Sequence, residues 1–183
     1  MIRFSSRYMI AALLLCGSVH FAQAQKTMEE YEVFPTRLET DIPYRIPAIA
    51  TASNGDLIAV ADYRYCRMDI GFAGTGDGRI DLRASISKDN GHTWEAPFTI
   101  VKGKGRGFDV FHTGFGDPCV VADRNSSRVF LLSCAGNVSF PGGTREKHQG
   151  IAIMHSEDNG KTWSEPKDIA EDVYAMFDKC SRG

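Results

Sequence analysis

Four charged side chains stand where chemistry is possible: Arg45 in "YRIP", Arg64 and Asp69 in "ADYRYCRMDIG", and Asp117 in "GDPCVVAD". A planar guanidinium holds a carboxylate through two parallel hydrogen bonds, so arginines in a pocket suit a small anionic ligand. An aspartate on a flexible loop beside such cations can give a proton to a departing oxygen and later take one from water. The loop "GFAGTGDG" is rich enough in glycine to be flexible. It is not a phosphate cradle, because no strand-to-helix context follows it and no Lys-Ser/Thr pair closes it. Asp62, Arg67 and Asp81 lie close by and read as solvated or structural. His112, His148 and His155 are scattered singly and read as loop or core residues, and without a CxxC spacing or a second histidine at ligand distance no metal site is expected.

These residues must be carried by strands. The chain is a series of short apolar runs rich in β-branched residues: "YRIPAIAT", "LIAVADYR", "IDLRASIS" and "FTIV", then "DPCVVAD", "RVFLLSC", "GIAIMHS" and "PKDIA". Turn signals separate them, among them Asn54-Gly55, Asn90-Gly91, Asn125-Ser126-Ser127, Pro141-Gly142-Gly143 and Asn159-Gly160. Helical periodicity is nearly absent.

One octapeptide occurs twice, as "SKDNGHTW" from Ser87 and "SEDNGKTW" from Ser156, 69 positions apart. Each copy ends an apolar strand, supplies an Asn-Gly turn and gives Thr-Trp before a further extended segment, which is a hairpin signature. In this reading the Asp accepts from the turn's own amides, Gly supplies positive φ, and Trp covers the hairpin with a large apolar face. Such spacing suits a repeating unit of about four strands with each octapeptide between the third and fourth, and repetition of four-stranded units is the mark of a β-propeller. Two blades are expected, with "DVYAMF" opening a third.

The octapeptide SxDxGxTW resembles the Asp-box (BNR repeat) of sialidases and related propellers, and "YRIP" resembles the Arg-Ile-Pro motif that opens the sialidase catalytic domain. Arg64, Asp69 and "GDPCVVAD" follow in the order that family shows. The resemblance implies an all-β, six-bladed propeller of the bacterial exo-α-sialidase type, of which the chain from about Tyr44 onward supplies the first two blades and part of a third. It implies Arg45 and Arg64 as ligands of the substrate carboxylate and its surroundings, Asp69 as acid/base, and Asp117 as a contact on the amide side of the sugar. Sialidases use a tyrosine nucleophile, because a neutral phenol activated by a glutamate approaches an anionic substrate without charge repulsion. That tyrosine, its glutamate and two further arginines come from later blades in the family. Tyr44, Tyr63, Tyr65 and Tyr174 match none of those motifs, so this segment alone is expected to be inactive, with open sheet faces and modest stability.

The implied activity is release of terminal sialic acids from glycoproteins, glycolipids and oligosaccharides with retention, needing no cofactor. Two other readings stay open: a non-catalytic Asp-box propeller that binds glycans or proteins, and transfer of sialic acid to a second sugar. A net charge of −2 over 183 residues gives no reason to expect a nucleic-acid partner.

The N-terminus carries Arg3 and Arg7 ahead of the apolar run "MIAALLLCGSVHFA" and ends in "AQA" at Ala24, the pattern of an export signal too short to span a bilayer comfortably. Residues 1–24 are thus expected to be a signal peptide, 25–40 a lead-in and 41–183 propeller, in a periplasmic or extracellular protein without a transmembrane segment. Cys16 could alternatively accept a lipid anchor. The four remaining cysteines, Cys66, Cys119, Cys134 and Cys180, are compatible with disulfides or with buried free thiols. Asn125 and Asn137 match the glycosylation sequon.

Overall fold

The computed structural model describes residues 29–35, 42–71, 77–144 and 146–180, with residues 178–180 described by their backbone alone. The expected signal peptide with Cys16 therefore lies outside the described residues, as does most of the glycine-rich loop after Asp69. The chain divides into two compact units, residues 1–30 and 31–183, and every element below belongs to the second.

Among the described residues, eight strands form two sheets. The first holds β1 (Arg45–Thr51), β2 (Leu57–Arg64), β3 (Ile80–Ser87) and β4 (Phe98–Val101); the second holds β5 (Phe115–Ala122), β6 (Val129–Ala135), β7 (Gly150–Ser156) and β8 (Lys167–Asp168). Within each sheet the spatial order follows the chain and neighbouring strands run antiparallel. These are the two four-stranded units that the repeat spacing implies.

Both octapeptides fold as anticipated, between the third and fourth strands. Asp89 Oδ1 accepts from the Thr93 amide at 2.8 Å and its Oδ2 from the Thr93 hydroxyl at 2.6 Å, while the Ser87 hydroxyl accepts from the Gly91 amide. Asp158, Thr162, Ser156 and Gly160 repeat the arrangement. Each tryptophan closes the turn by donating its indole N–H to the glycine carbonyl. Asn90, Gly91, Asn159 and Gly160 all have positive φ, which explains the choice of Asn-Gly.

The core lies between the sheets. Ile58, Val60, Leu82 and Ala84 from the first meet Phe115, Val129, Leu131, Ala152 and Met154 from the second. Each large aliphatic buried this way contributes about 1.5–3 kcal/mol. β2 and β3 are buried on both faces; β2 accordingly opens on the continuous apolar run LIAVA, β3 alternates apolar and polar residues with Asp81, Ser85 and Ser87 buried, and β6 alternates buried and half-buried positions. The first strand of each sheet, β1 and β5, leaves Ile49 and Val121 more than half exposed.

One expectation is overturned. "DVYAMF" does not open a strand; it lies inside α1 (Ala170–Cys180). The Asp168 carboxylate accepts from the Ala170 amide, and Glu171 and Asp172 place negative charge in the first turn, where the helix dipole favours it. Among the described residues Cys66, Cys119 and Cys134 are free thiols, no helix is long and apolar enough to cross a membrane, and no cluster of side chains suits a metal ion.

Candidate functional site

Along β2 the residues 58, 60, 62 and 64 share one face, because side chains alternate across a strand. Ile58 and Val60 feed the core, and at the end of the same stripe Asp62 and Arg64 replace the aliphatics while staying fully buried. Arg64 Nε and Nη2 donate to Asp62 Oδ2 at 3.1 and 2.7 Å, and Nη1 donates to the Met68 carbonyl at 3.4 Å. Nη2 also lies 3.1 Å from Asp69 Oδ1. Asp69 sits just past the end of β2, with its side chain 45% exposed.

Two bulges bring the remaining residues in. The β1–β2 register shifts between Arg45 and Ala48, and the β5–β6 register shifts between Gly116 and Cys119. At each bulge the residue before a proline has a left-handed backbone: Ile46 with φ of 50° and Asp117 with φ of 54°. A β-branched residue in that region is an outlier costing about 1–3 kcal/mol, a conformation that persists where surrounding structure over-determines it. The bulges aim two matching strand ends at one place. Asp117 N–H donates to Asp62 Oδ1 at 3.0 Å, joining the second sheet to the first. Arg45 pairs in register with Asp62, is exposed, and among the described residues has no carboxylate within ion-pair distance.

All four sequence-chosen residues therefore converge. Asp117 is pushed above the usual carboxylate range by desolvation and by the charge of Asp69, against the opposing pull of Arg64, of a hydrogen bond from Cys134 and of Arg45. Cys134 is raised to about 11 by burial, with the charges of Asp117, Asp69 and Asp62 adding to the effect. Arg64 is a compensated buried cation, since the carboxylates of Asp62 and Asp69 face it. Asp62 is not solvated either: its burial raises it to about 7, although Arg64 pulls the other way. The signal that would have found it is the alternation in "ADYR", which puts Asp62 and Arg64 on one face. Cys134 carried no such signal.

The remaining candidates fall elsewhere. Asp81 is a buried structural acid accepting from Arg79, Tyr65 and the Gly103 amide. His112 pairs with Asp109, His155 is exposed on β7, and His148 stacks on Tyr174. A cavity of about 500 Å³ between α1 and the β6–β7 connection is lined by Phe140, His148, Glu171, Tyr174 and Phe177. Tyr174 in its wall is raised by burial and, to a lesser degree, by Cys134.

Two antiparallel four-stranded blades with a charged cluster at their common end define part of a sialidase-type β-propeller. The profile of the BNR repeat-like domain matches residues 50–178. A sialidase of Bacteroides fragilis is 30% identical over 141 residues, covering 71% of this chain and 25% of that protein. A sialidase of Paraclostridium sordellii is 29% identical over 131 residues, covering 69% of this chain and 30% of its own length. Among solved structures, the Hadza microbial sialidase Hz136 superposes with a TM-score of 0.55 at 29% identity, over 70% of this chain and 26% of that one. The chain belongs to the sialidase family of BNR-repeat proteins, and it spans about a quarter to a third of the length of these relatives.

Proposed function

We propose that these residues form the opening blades of an exported exo-α-sialidase that removes terminal sialic acids from glycoproteins, glycolipids and oligosaccharides with retention of configuration. The observation that carries this reading is the convergence of Arg45, Arg64, Asp69 and Asp117 on one end of the two blades. Arg45, exposed and without a carboxylate partner among the described residues, receives the sugar carboxylate. Arg64 orients Asp69 and lines the pocket beside it, and Asp117 accepts from the amide side of the sugar.

Asp69 supplies the proton chemistry. Its carboxyl proton passes to the glycosidic oxygen as the bond from that oxygen to the anomeric carbon breaks. A nucleophile, a tyrosine by the family pattern, takes the anomeric carbon into a covalent intermediate as its phenolic proton passes to its glutamate base. Asp69, now a carboxylate, draws a proton from water as the water displaces the tyrosine, which takes its own proton back from the glutamate, so that all three groups are restored. No match to the tyrosine or to its glutamate base occurs among the motifs of this chain, so blades beyond these two are required.

The test is hydrolysis of sialyl-lactose and of a fluorogenic sialic-acid glycoside by the protein purified from its source, with its intact mass determined alongside. Turnover at a mass well above 20.2 kDa, lost in Asp69→Ala, supports the reading. Binding of sialyl-lactose without turnover would favour a glycan-binding propeller instead.

A further inference from the structure

We propose that Asp62 is a positioning residue of this site: its buried carboxylate fixes both the Arg64 guanidinium and the Asp117 backbone where substrate meets them, and it shares the Arg64 charge with Asp69. The proposal rests on the sialidase reading above. Its ground is that both oxygens of Asp62 are spent on residues of the cluster. Oδ2 accepts the two N–H groups of Arg64, and Oδ1 accepts the Asp117 amide from the other sheet. The side chain has no exposure. A buried carboxylate is costly unless it is paired and hydrogen-bonded, and in a propeller core the apolar stripe of Ile58 and Val60 would continue more cheaply with another aliphatic. Asp62 thus sits where stability alone would not put it.

The neighbouring strand is shaped around this carboxylate. A Cβ at Gly116 would stand 3.3 Å from Asp62 Oδ2, so the glycine leaves room for it. The left-handed conformation of Asp117 goes with the hydrogen bond that its backbone N–H donates to Asp62 Oδ1 at 3.0 Å. The groups acting on Asp62 are Arg64 on its own strand and Asp117 on β5, with Cys134 of β6 near enough to feel its charge; Arg45 stands opposite it in the β1–β2 register, and Asp69 meets Arg64 from the other side. Arg64 Nη2 is shared between two carboxylates, at 2.7 Å from Asp62 and 3.1 Å from Asp69. Neutralising Asp62 removes the partner that holds the Arg64 guanidinium in place and lets it turn towards Asp69, away from where the substrate meets it.

The experiment compares the full protein from its source with Asp62→Asn, which keeps the shape and the acceptor for the Asp117 amide but removes the charge. Expected are a fall in kcat/KM of about tenfold or more, carried by a higher KM and weaker binding of sialyl-lactose by the folded protein. A merely structural acid would lower the melting temperature and leave the KM of the folded fraction unchanged, and that result overturns the proposal. If Asp62→Asn does not fold, the pair Asp62→Asn with Arg64→Gln removes both buried charges together. Its KM should match that of Arg64→Gln alone, because Asp62 acts on the substrate through Arg64, and a KM that rises further overturns the proposal. Wild-type protein that neither hydrolyses nor binds sialyl-lactose would overturn the sialidase reading itself, whereas active wild type with an unaltered KM in Asp62→Asn would overturn only the role of Asp62.

Discussion

Gly160, in the second octapeptide turn, rests on Ile58 of the first sheet so closely that a Cβ at 160 would stand 2.6 Å from the Ile58 Cδ1. The turn that staples one blade is thus also part of the joint between blades. Ser53 and Asn159 extend the joint with a side-chain hydrogen bond at 3.0 Å.

Gly160→Ala therefore meets two penalties. The backbone there has φ of 87°, which costs a non-glycine residue about 1–2 kcal/mol, and the methyl must displace Ile58, which costs about 1–3 kcal/mol more. Gly55 has a similar φ of 90° with no atom near enough to clash. Gly55→Ala should carry only the backbone cost. Thermal unfolding of the two variants separates the terms: Gly160→Ala melts several degrees lower than Gly55→Ala, and equal melting temperatures would show that the turn does not bear on the core.

The carboxylates of the octapeptide turns make stability depend on acid. Burial acts to raise Asp158, but hydrogen bonds from the Thr162 hydroxyl and amide, from Ser156 and from Lys161 outweigh it and hold the group at about 2. Its folded value lies below the unfolded value of 3.8, so its contribution is present above pH 3.8 and is lost as pH falls towards 2. Asp158→Asn should melt below wild type at pH 6 and approach it at pH 2. A gap that persists unchanged to pH 2 would mean the carboxylate charge is not what the turn uses.

Arg45 and Arg64 differ in what holds them, and substitution should reveal it. Arg45 is exposed and free of carboxylate partners among the described residues, so Arg45→Lys leaves the fold intact while replacing a two-pronged contact with a single point charge. KM for sialyl-lactose should rise by about tenfold or more, with little change in melting temperature. Arg64→Lys should lower both activity and stability, since Arg64 is buried against Asp62 and Asp69. Steady-state kinetics with calorimetry on the pair decides this, and a destabilised Arg45→Lys with unchanged KM would assign Arg45 to the fold instead of the ligand.

How much of this was legible beforehand depends on the range of the interaction. Strands and octapeptide turns are local, and alternation, β-branched runs and Asn-Gly placed all eight strands and both staples. α1 was missed because "VYAMF" is too short for period alone to separate strand from helix; its real signals are Asp168 and the acidic first turn. Arg45, Arg64, Asp69 and Asp117 were singled out by motif order. Asp62 was legible only in part: the alternation in "ADYR" puts it on the face of Arg64, but its hydrogen bond from the Asp117 amide, 55 positions away, leaves no local pattern, and Cys134 carries no signal at all.

Cys134 offers a test of that docking without any substrate. Its thiol is raised to about 11, chiefly by burial, with the carboxylates of Asp117, Asp69 and Asp62 opposing further negative charge. Since the thiolate is the reactive species, Cys134 should resist iodoacetamide at pH 8 for as long as the sheets stay together. Cys119, exposed on β5, is accessible under the same conditions. Peptide mapping after brief alkylation should find Cys119 labelled and Cys134 spared, and mild denaturant should equalise them. Asp117→Asn removes one of the opposing charges, so it should speed labelling of Cys134 relative to Cys119. If native Cys134 labels as fast as Cys119, the thiol does not lie buried against the acidic cluster and the arrangement of the two blades at this end is wrong.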